Sequence, residues 1–161
     1  MANVCNFALK AVSKDKDALL RLIAVLDYKD FEYHLHGVYG ISKDATPEEI
    51  PESGLWKVIL TGDQKWSCSR WMNAVAGDVW ADMKSEEILL PGLCKALGVG
   101  VEVWSSEPNM AFQEHILVDS EGSVKIDETE DWYFEDDSSG FEDFEKFRPG
   151  REIFGGPEVS A

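Results

Sequence analysis

The sequence predicts an α+β domain in which helices cover one face of an antiparallel sheet. Three observations support this class. Apolar residues make up 44% of the 161 residues and six tryptophans are present, so the chain can form a packed core. Several segments alternate between apolar and polar residues, which is typical of half-buried strands. Other segments repeat their apolar residues at helical spacing, which is typical of amphipathic helices.

The first half of the chain predicts a strand, a helix and two further strands. Ser13 or Asp15 can cap the helix, which runs to about Asp27 with its leucines and isoleucine on one side. Residues 44–53 are rich in Pro, Glu and Thr and predict a loop. The three predicted strands are residues 3–12, Phe31–Ile41 and Leu55–Thr61.

The second half predicts two helical segments, a fourth strand and a hairpin. Trp66–Lys84 predicts one or two short helices, and Ser85–Gly98 predicts a helix whose true first turn is at Pro91. The remaining strands are Val99–Trp104, Gln113–Asp119 and Ser123–Asp127. This order is the split βαβ arrangement of a ferredoxin-like fold, with helices on one sheet face and an extra C-terminal hairpin.

Charge and cysteine content exclude several classes of function. The chain has 31 acidic and 15 basic residues, a formal net charge of -16, which disfavours direct binding to nucleic acid or anionic lipid. No apolar run approaches the roughly 18 residues of a membrane-spanning helix. Three cysteines without metal-ligand spacing, and no signal-peptide pattern, predict reduced thiols in a cytoplasm. The cysteines are too few for an iron-sulfur cluster and the glycines form no phosphate-binding pattern, so we expect no cofactor.

The acids are concentrated near the C-terminus. Residues 127–145 contain ten acids and no Lys or Arg, interleaved with aromatic residues. Such a block is a candidate surface for a basic, nucleic-acid-handling protein, while solubility is the simpler explanation of the acidity. We expect one ferredoxin-like domain over residues 1–137 and an acidic, flexible extension over 138–161. The candidate contact residues are Glu130, Asp131, Trp132, Phe134, Glu135, Asp136, Asp137, Glu142, Asp143 and Glu145, with Trp104 on the open sheet face as a weaker candidate.

Histidines provide the strongest alternative site. His34 and His36 are two positions apart in a predicted strand, so both should point to the sheet face away from the helices. With His115 or Glu102 as a third ligand they could hold a metal ion, as in a small metal-dependent hydrolase. Two histidines on a half-exposed sheet face are nevertheless more often not ligands, and no catalytic residue is assigned.

Three short motifs resemble those of a known family. In chain order they are Ala2-Asn3-Val4-Cys5-Asn6, Gln64-Lys65-Trp66-Ser67 and Glu107-Pro108-Asn109-Met110-Ala111-Phe112. They resemble the YubB-like ferredoxin-like domain proteins of phages and conjugative plasmids, over roughly residues 2 to 135. Family members commonly have Trp at the position of Val4 and Pro at that of Cys68. The resemblance implies a ferredoxin-like fold, an origin on a mobile element and no established catalytic residues.

These observations give three hypotheses about function. The first is a non-catalytic binding protein, an inhibitor of the anti-defence type, whose acidic surface engages a basic host protein in the bacterial cytoplasm. The second is the metal-dependent hydrolase that uses the histidines. The third is a structural or assembly component of a virus, which self-association would indicate.

Overall fold

The computed structural model describes residues 4–73, 84–107 and 112–131. The predicted α+β class is confirmed, with a mostly antiparallel sheet and two α-helices in these ranges. The predicted boundary between residues 137 and 138 lies outside them. The elements are β1 (Val4–Ser13), α1 (Lys16–Leu26), β2 (Tyr33–His34), β3 (Val38–Ile41), β4 (Glu48–Ile50), β5 (Leu55–Lys65), a 3-10 turn (Cys68–Trp71), β6 (Glu86–Glu87), α2 (Leu90–Leu97), β7 (Gly100–Glu107), β8 (Phe112–Val118) and β9 (Val124–Asp131).

Within the described ranges, seven strands form one sheet in the order β3-β5-β1-β7-β8-β9, with β4 also paired to β5. Every neighbouring pair in this sheet is antiparallel. β1 is the central strand and pairs with β5 over its whole length, from Val4 opposite Lys65 to Ser13 opposite Trp56. β2 and β6 form a separate two-stranded parallel sheet.

The two faces of the sheet follow from the alternation of β1. We call the face that carries Leu9 the core face, because Leu9 packs there with residues of α1 and α2. The opposite face, which carries Lys10, is the second face.

α1 begins where the carboxylate of Asp15 accepts a 2.9 Å hydrogen bond from the N–H of Asp17. Its buried residues are Ala18, Leu19, Leu22, Val25 and Leu26.

α2 begins and ends as its sequence indicates. Pro91 lies in its first turn, where a missing N–H removes no helical hydrogen bond. Gly98 caps the other end with a φ of 70°, a left-handed conformation that glycine adopts without steric cost. The residues before Leu90 do not belong to the helix, because Glu86–Glu87 pair with β2 instead.

Besides shifts in the bounds of other elements, three predicted elements differ from the structure in kind or number. The strand Phe31–Ile41 is divided into β2 and β3 at Gly37, which has a φ of 75° and turns the chain into a different sheet. The predicted loop 44–53 contains β4, whose three residues pair with β5. Of the predicted helical segment Trp66–Lys84, the described part contains the 3-10 turn, and residues 74–83 lie outside it.

The second face carries its own small apolar group. Val12, Leu55 and Leu117 are buried together there, and Ile50 and Ile126 pack against them. This second-face cluster joins the ends of five strands across the face opposite the helices.

In the described part of the chain, no helix is long and apolar enough to cross a membrane.

Candidate functional site

The acidic block begins inside strand β9. β9 lies at one end of the sheet order and pairs with β8 along its length. Four of its eight residues are acids and one is lysine. Asp127 and Glu128 are exposed. Among the strands of the described ranges, none pairs with the outer side of β9, so these acids lie along an edge of the sheet.

Apolar packing and a tight turn fix the position of β9. Ile126 packs against the second-face cluster. In the turn that precedes β9, Oδ1 of Asp119 accepts hydrogen bonds from the N–H groups of Glu121 (3.0 Å) and Ser123 (2.8 Å). Lys125 lies 3.5 Å from the same carboxylate. The single basic residue of β9 is therefore directed to the turn and not to the acids beyond it.

The predicted contact residues fall in two groups. Glu130 and Asp131 are the last two residues of β9, opposite Gln113 and Phe112 of β8. The others lie outside the described residues: Trp132, Phe134, Glu135, Asp136, Asp137, Glu142, Asp143 and Glu145. The described part of the predicted surface is therefore the acidic edge of β9.

Trp104 was expected on an exposed surface, and this prediction is wrong. Its side chain is only 8% exposed. The ring stacks on that of His115, with centroids 3.6 Å apart and planes at 12°. The two residues are direct partners on neighbouring strands, β7 and β8, and Ala8 on β1 lies on the other side of Trp104. Trp104 therefore packs against its cross-strand neighbour on the second face and is not exposed there.

A buried row of ionisable groups adjoins this stack on the second face. Nε2 of His115 lies 3.3 Å from a carboxylate oxygen of Glu102, which is 1% exposed. Lys10 is the partner of Glu102 on β1. The pKa of Lys10 is lowered to about 8, mainly by burial and also by the nearby charge of Lys57, while the Glu102 carboxylate opposes the change. A basic side chain and a carboxylate are adjacent in this row, and such pairing reduces the cost of burying each group.

His34 and His36 do not lie on the second face. His34 belongs to β2, and its Nδ1 lies 2.8 Å from the hydroxyl of Ser85. Nδ1 of His36 lies 2.6 Å from a carboxylate oxygen of Glu87, and its Nε2 lies 3.1 Å from Arg70. Both rings are buried, and burial lowers the pKa of His34. The ring partners of the two histidines come from residues 85–87, in and just before β6, and from the 3-10 turn.

The predicted grouping of three histidines on one sheet face is therefore wrong. Between β1 and Gly37 the chain lies outside the main sheet, so His34 and His36 lie beside β6. His115 of β8, in contrast, stacks on Trp104 of β7. In the described ranges, no group of three or more His, Cys, Asp or Glu residues is arranged to hold a metal ion.

A buried carboxylate on the core face is a polar site that sequence reasoning missed. Glu114 of β8 is 3% exposed and accepts hydrogen bonds from the hydroxyls of Ser67 and Ser105, the latter at 3.2 Å. Backbone N–H groups of Cys68 and Ser69 also donate to it. Burial raises the pKa of Glu114, and these four donors oppose the rise. The carboxylate thus fixes the start of the 3-10 turn against the sheet.

This carboxylate attaches a neighbouring loop to the core face of the sheet. We call the segment Lys65–Trp71 the tryptophan loop. Trp71 is fully buried and its indole N–H donates to Gln64 (3.0 Å) and to the carbonyl of His36 (3.1 Å). Trp66, in contrast, is 46% exposed and has a φ of 70°. The Arg70 guanidinium lies 4.1 Å from its ring centroid. The loop presents an aromatic side chain with an adjacent cation.

The three cysteines are residues of the hydrophobic core. Cys5, Cys68 and Cys94 are all free and buried. The Sγ atoms of Cys5 and Cys68 lie 3.8 Å apart. Burial and the neighbouring Cys5 raise the pKa of Cys68, and burial also raises that of Cys94, so these thiols are not activated as nucleophiles.

Comparison with known proteins provides no relative from which residue roles could be transferred. No family model matches the chain, and neither does any curated protein or solved structure.

Proposed function

We propose that this protein is a non-catalytic binding protein that engages a basic, nucleic-acid-handling protein through β9 and the acidic residues after it. The observation that carries the proposal is the position of β9, an outer strand in which four of eight residues are acids. A row of carboxylates at a sheet edge attracts positively charged surfaces and repels nucleic acid itself. Acids on an outer strand also prevent aggregation, and the experiment below separates the two roles.

The order of the strands supports a ferredoxin-like arrangement as part of this proposal. Strands β3, β5, β1 and β7 are adjacent in that order and antiparallel throughout. A split βαβ unit, in which each helix connects two strands that flank a third, has this order. The arrangement agrees with the motifs that resemble phage and plasmid proteins. On the same resemblance we propose that the protein belongs to a mobile element and acts in the cytoplasm of a bacterial host.

An inhibitor of host defence is the specific role that we propose. Host defence proteins that handle nucleic acid have basic grooves, and an acidic protein can occupy such a groove in place of phosphates. Residues on the same side of a strand are about 6.6 Å apart, so β9 matches a line of separate basic side chains better than it imitates a duplex. The geometry does not favour the metal-dependent hydrolase, because His34 and His36 lie beside β6 whereas His115 lies on β8 of the main sheet.

Capture from a host lysate tests the proposal. The immobilised protein should retain basic proteins at low salt and release them at high salt, because screening weakens attraction between exposed charges. A variant that neutralises β9, Asp127→Asn/Glu128→Gln/Glu130→Gln/Asp131→Asn, should retain much less.

The matched control neutralises four acids elsewhere. Asp44→Asn/Glu48→Gln/Glu49→Gln/Glu52→Gln alters the same net charge at exposed positions in and around β4, away from β9. It should retain the same proteins as the wild type. Equal loss in both variants would show that net charge alone matters, and no salt-sensitive capture by the wild type would refute the proposal.

A further inference from the structure

The two edges of the main sheet differ in how open they are to another strand. At one edge, β3 has four residues, and its register with β5 shifts between Val38 and Gly40. β4, on the same side, has only three residues. Short strands and bulges are ways in which proteins protect a sheet edge. β9 has eight residues and pairs in regular register with β8 beyond the shift at Leu117.

We infer that β9 binds an extended, basic segment of the partner as an additional strand of the sheet. The inference rests on the proposed function and specifies how the partner is held. Alternate residues of β9 direct their N–H and C=O groups away from β8, and an extended peptide can pair with these groups. The partner segment would carry Lys or Arg at positions that face the acids of β9.

Charge complementarity selects this occupant over others. Like charges opposite one another on neighbouring strands are destabilising, so the acids of β9 disfavour pairing with a second copy of the same strand. Opposite charges at the same positions are stabilising. The exposed Asp127 and Glu128 are adjacent in sequence and therefore belong to opposite faces, so a basic strand meets a carboxylate on each.

A buried side chain near the end of β9 gives an independent indication. Gln113 is opposite Glu130, one strand in from the edge, and is 8% exposed. No partner among the described residues accepts a hydrogen bond from its Nε2. A buried donor without an acceptor is costly, and a Gln side chain placed between the Lys or Arg residues of an added strand could supply the missing acceptor.

Synthetic peptides provide the test with the full chain. The first is a ten-residue peptide in which pairs of lysines alternate with pairs drawn from valine, threonine and glutamine, so that lysines lie on both faces of the added strand. Two others have the same sequence but are N-methylated at every odd or at every even residue, which removes the N–H donors on one side and keeps the charge. We expect the unmodified peptide to bind and one methylated peptide to bind at least tenfold more weakly. Hydrogen exchange at residues 124–131 should slow when the unmodified peptide binds.

Two protein variants complete the design. The variant Asp127→Asn/Glu128→Gln should bind the unmodified peptide at least tenfold more weakly than the wild type. The variant Glu48→Gln/Glu49→Gln on β4 should bind it as tightly as the wild type. Equal binding of all three peptides would overturn strand addition and leave the proposed function intact, because charge alone would then suffice. No binding of the unmodified peptide would also overturn strand addition, and the lysate capture then decides the proposed function separately.

Discussion

The tryptophan loop and strand β9 are both surface segments, yet they are held in opposite ways. The loop is attached from inside: Trp71 is fully buried beneath it, and the buried carboxylate of Glu114 receives its hydroxyl and N–H donors. β9 is attached through backbone pairing to one strand and through Ile126, while its described acidic side chains lie in solvent.

This difference separates residues that determine the fold from residues that remain available to a partner. A buried polar group is costly unless all its hydrogen bonds are made, so changes in the loop should alter stability. Exposed charges contribute little to stability, so changes in β9 should alter binding instead. The predictions below test this contrast, beginning with the largest effect.

Truncation of the buried tryptophan should have the largest effect. Trp71→Ala removes two hydrogen bonds and the edge-to-face contact with Phe7, whose ring centroid is 5.1 Å away. We expect a loss of about 3–5 kcal/mol in the free energy of unfolding, measured by urea denaturation. The control Trp66→Ala, at the exposed end of the same loop, should cost less than about 1 kcal/mol. Equal losses would mean that the loop is not fixed from its buried side.

Removal of the buried carboxylate should have the next largest effect. Glu114→Ala leaves the hydroxyls of Ser67 and Ser105, and the N–H groups of the 3-10 turn, without their acceptor. We expect a loss of about 1–3 kcal/mol in the free energy of unfolding. Glu114→Gln keeps the shape and one acceptor oxygen and should lose less. If the alanine variant were as stable as the wild type, the carboxylate would not anchor the loop.

The pH dependence of stability should identify Glu114 as a buried acid. Its pKa is raised in the folded state above the ordinary value of 4.5. Below the unfolded pKa both states are protonated, and its contribution to stability is fully present. As the pH rises towards the folded pKa, the unfolded state releases its proton first, and this contribution is lost. Relative to the wild type, Glu114→Gln should therefore become more stable as the pH rises from about 4, as urea denaturation at several pH values can measure.

Periodicity was sufficient to predict the framework of the sheet but not these polar contacts. Alternation identified β1, and Pro91 and Gly98 identified the ends of α2 because their backbone preferences are local. The division of Phe31–Ile41 depended on Gly37, which has a positive φ and whose carbonyl accepts a 2.9 Å hydrogen bond from the N–H of Lys65, a residue distant in sequence. His34 and His36 were placed on the wrong surface for the same reason, since the two-residue rule applies only within one strand.

Buried charge was the feature that the sequence least revealed. Glu114 occupies the same side of β8 as Ile116 and Val118, which are core residues, so an acid at a core position was the available signal. In a chain with 31 acids such a signal is easily overlooked. The stacking of Trp104 on His115 depends on register between strands and could not be read from either segment alone.

Neutralisation of β9 should have the smallest effect on stability and a large effect on binding. In Asp127→Asn/Glu128→Gln both side chains are exposed, and lower repulsion between neighbouring acids offsets any lost solvation. We expect the free energy of unfolding to change by less than about 0.5 kcal/mol, while capture of basic proteins at low salt declines. A loss of stability as large as that of Glu114→Ala would contradict the proposed difference between the tryptophan loop and β9. The acids of β9 would then stabilise the fold, as the buried groups of the loop do.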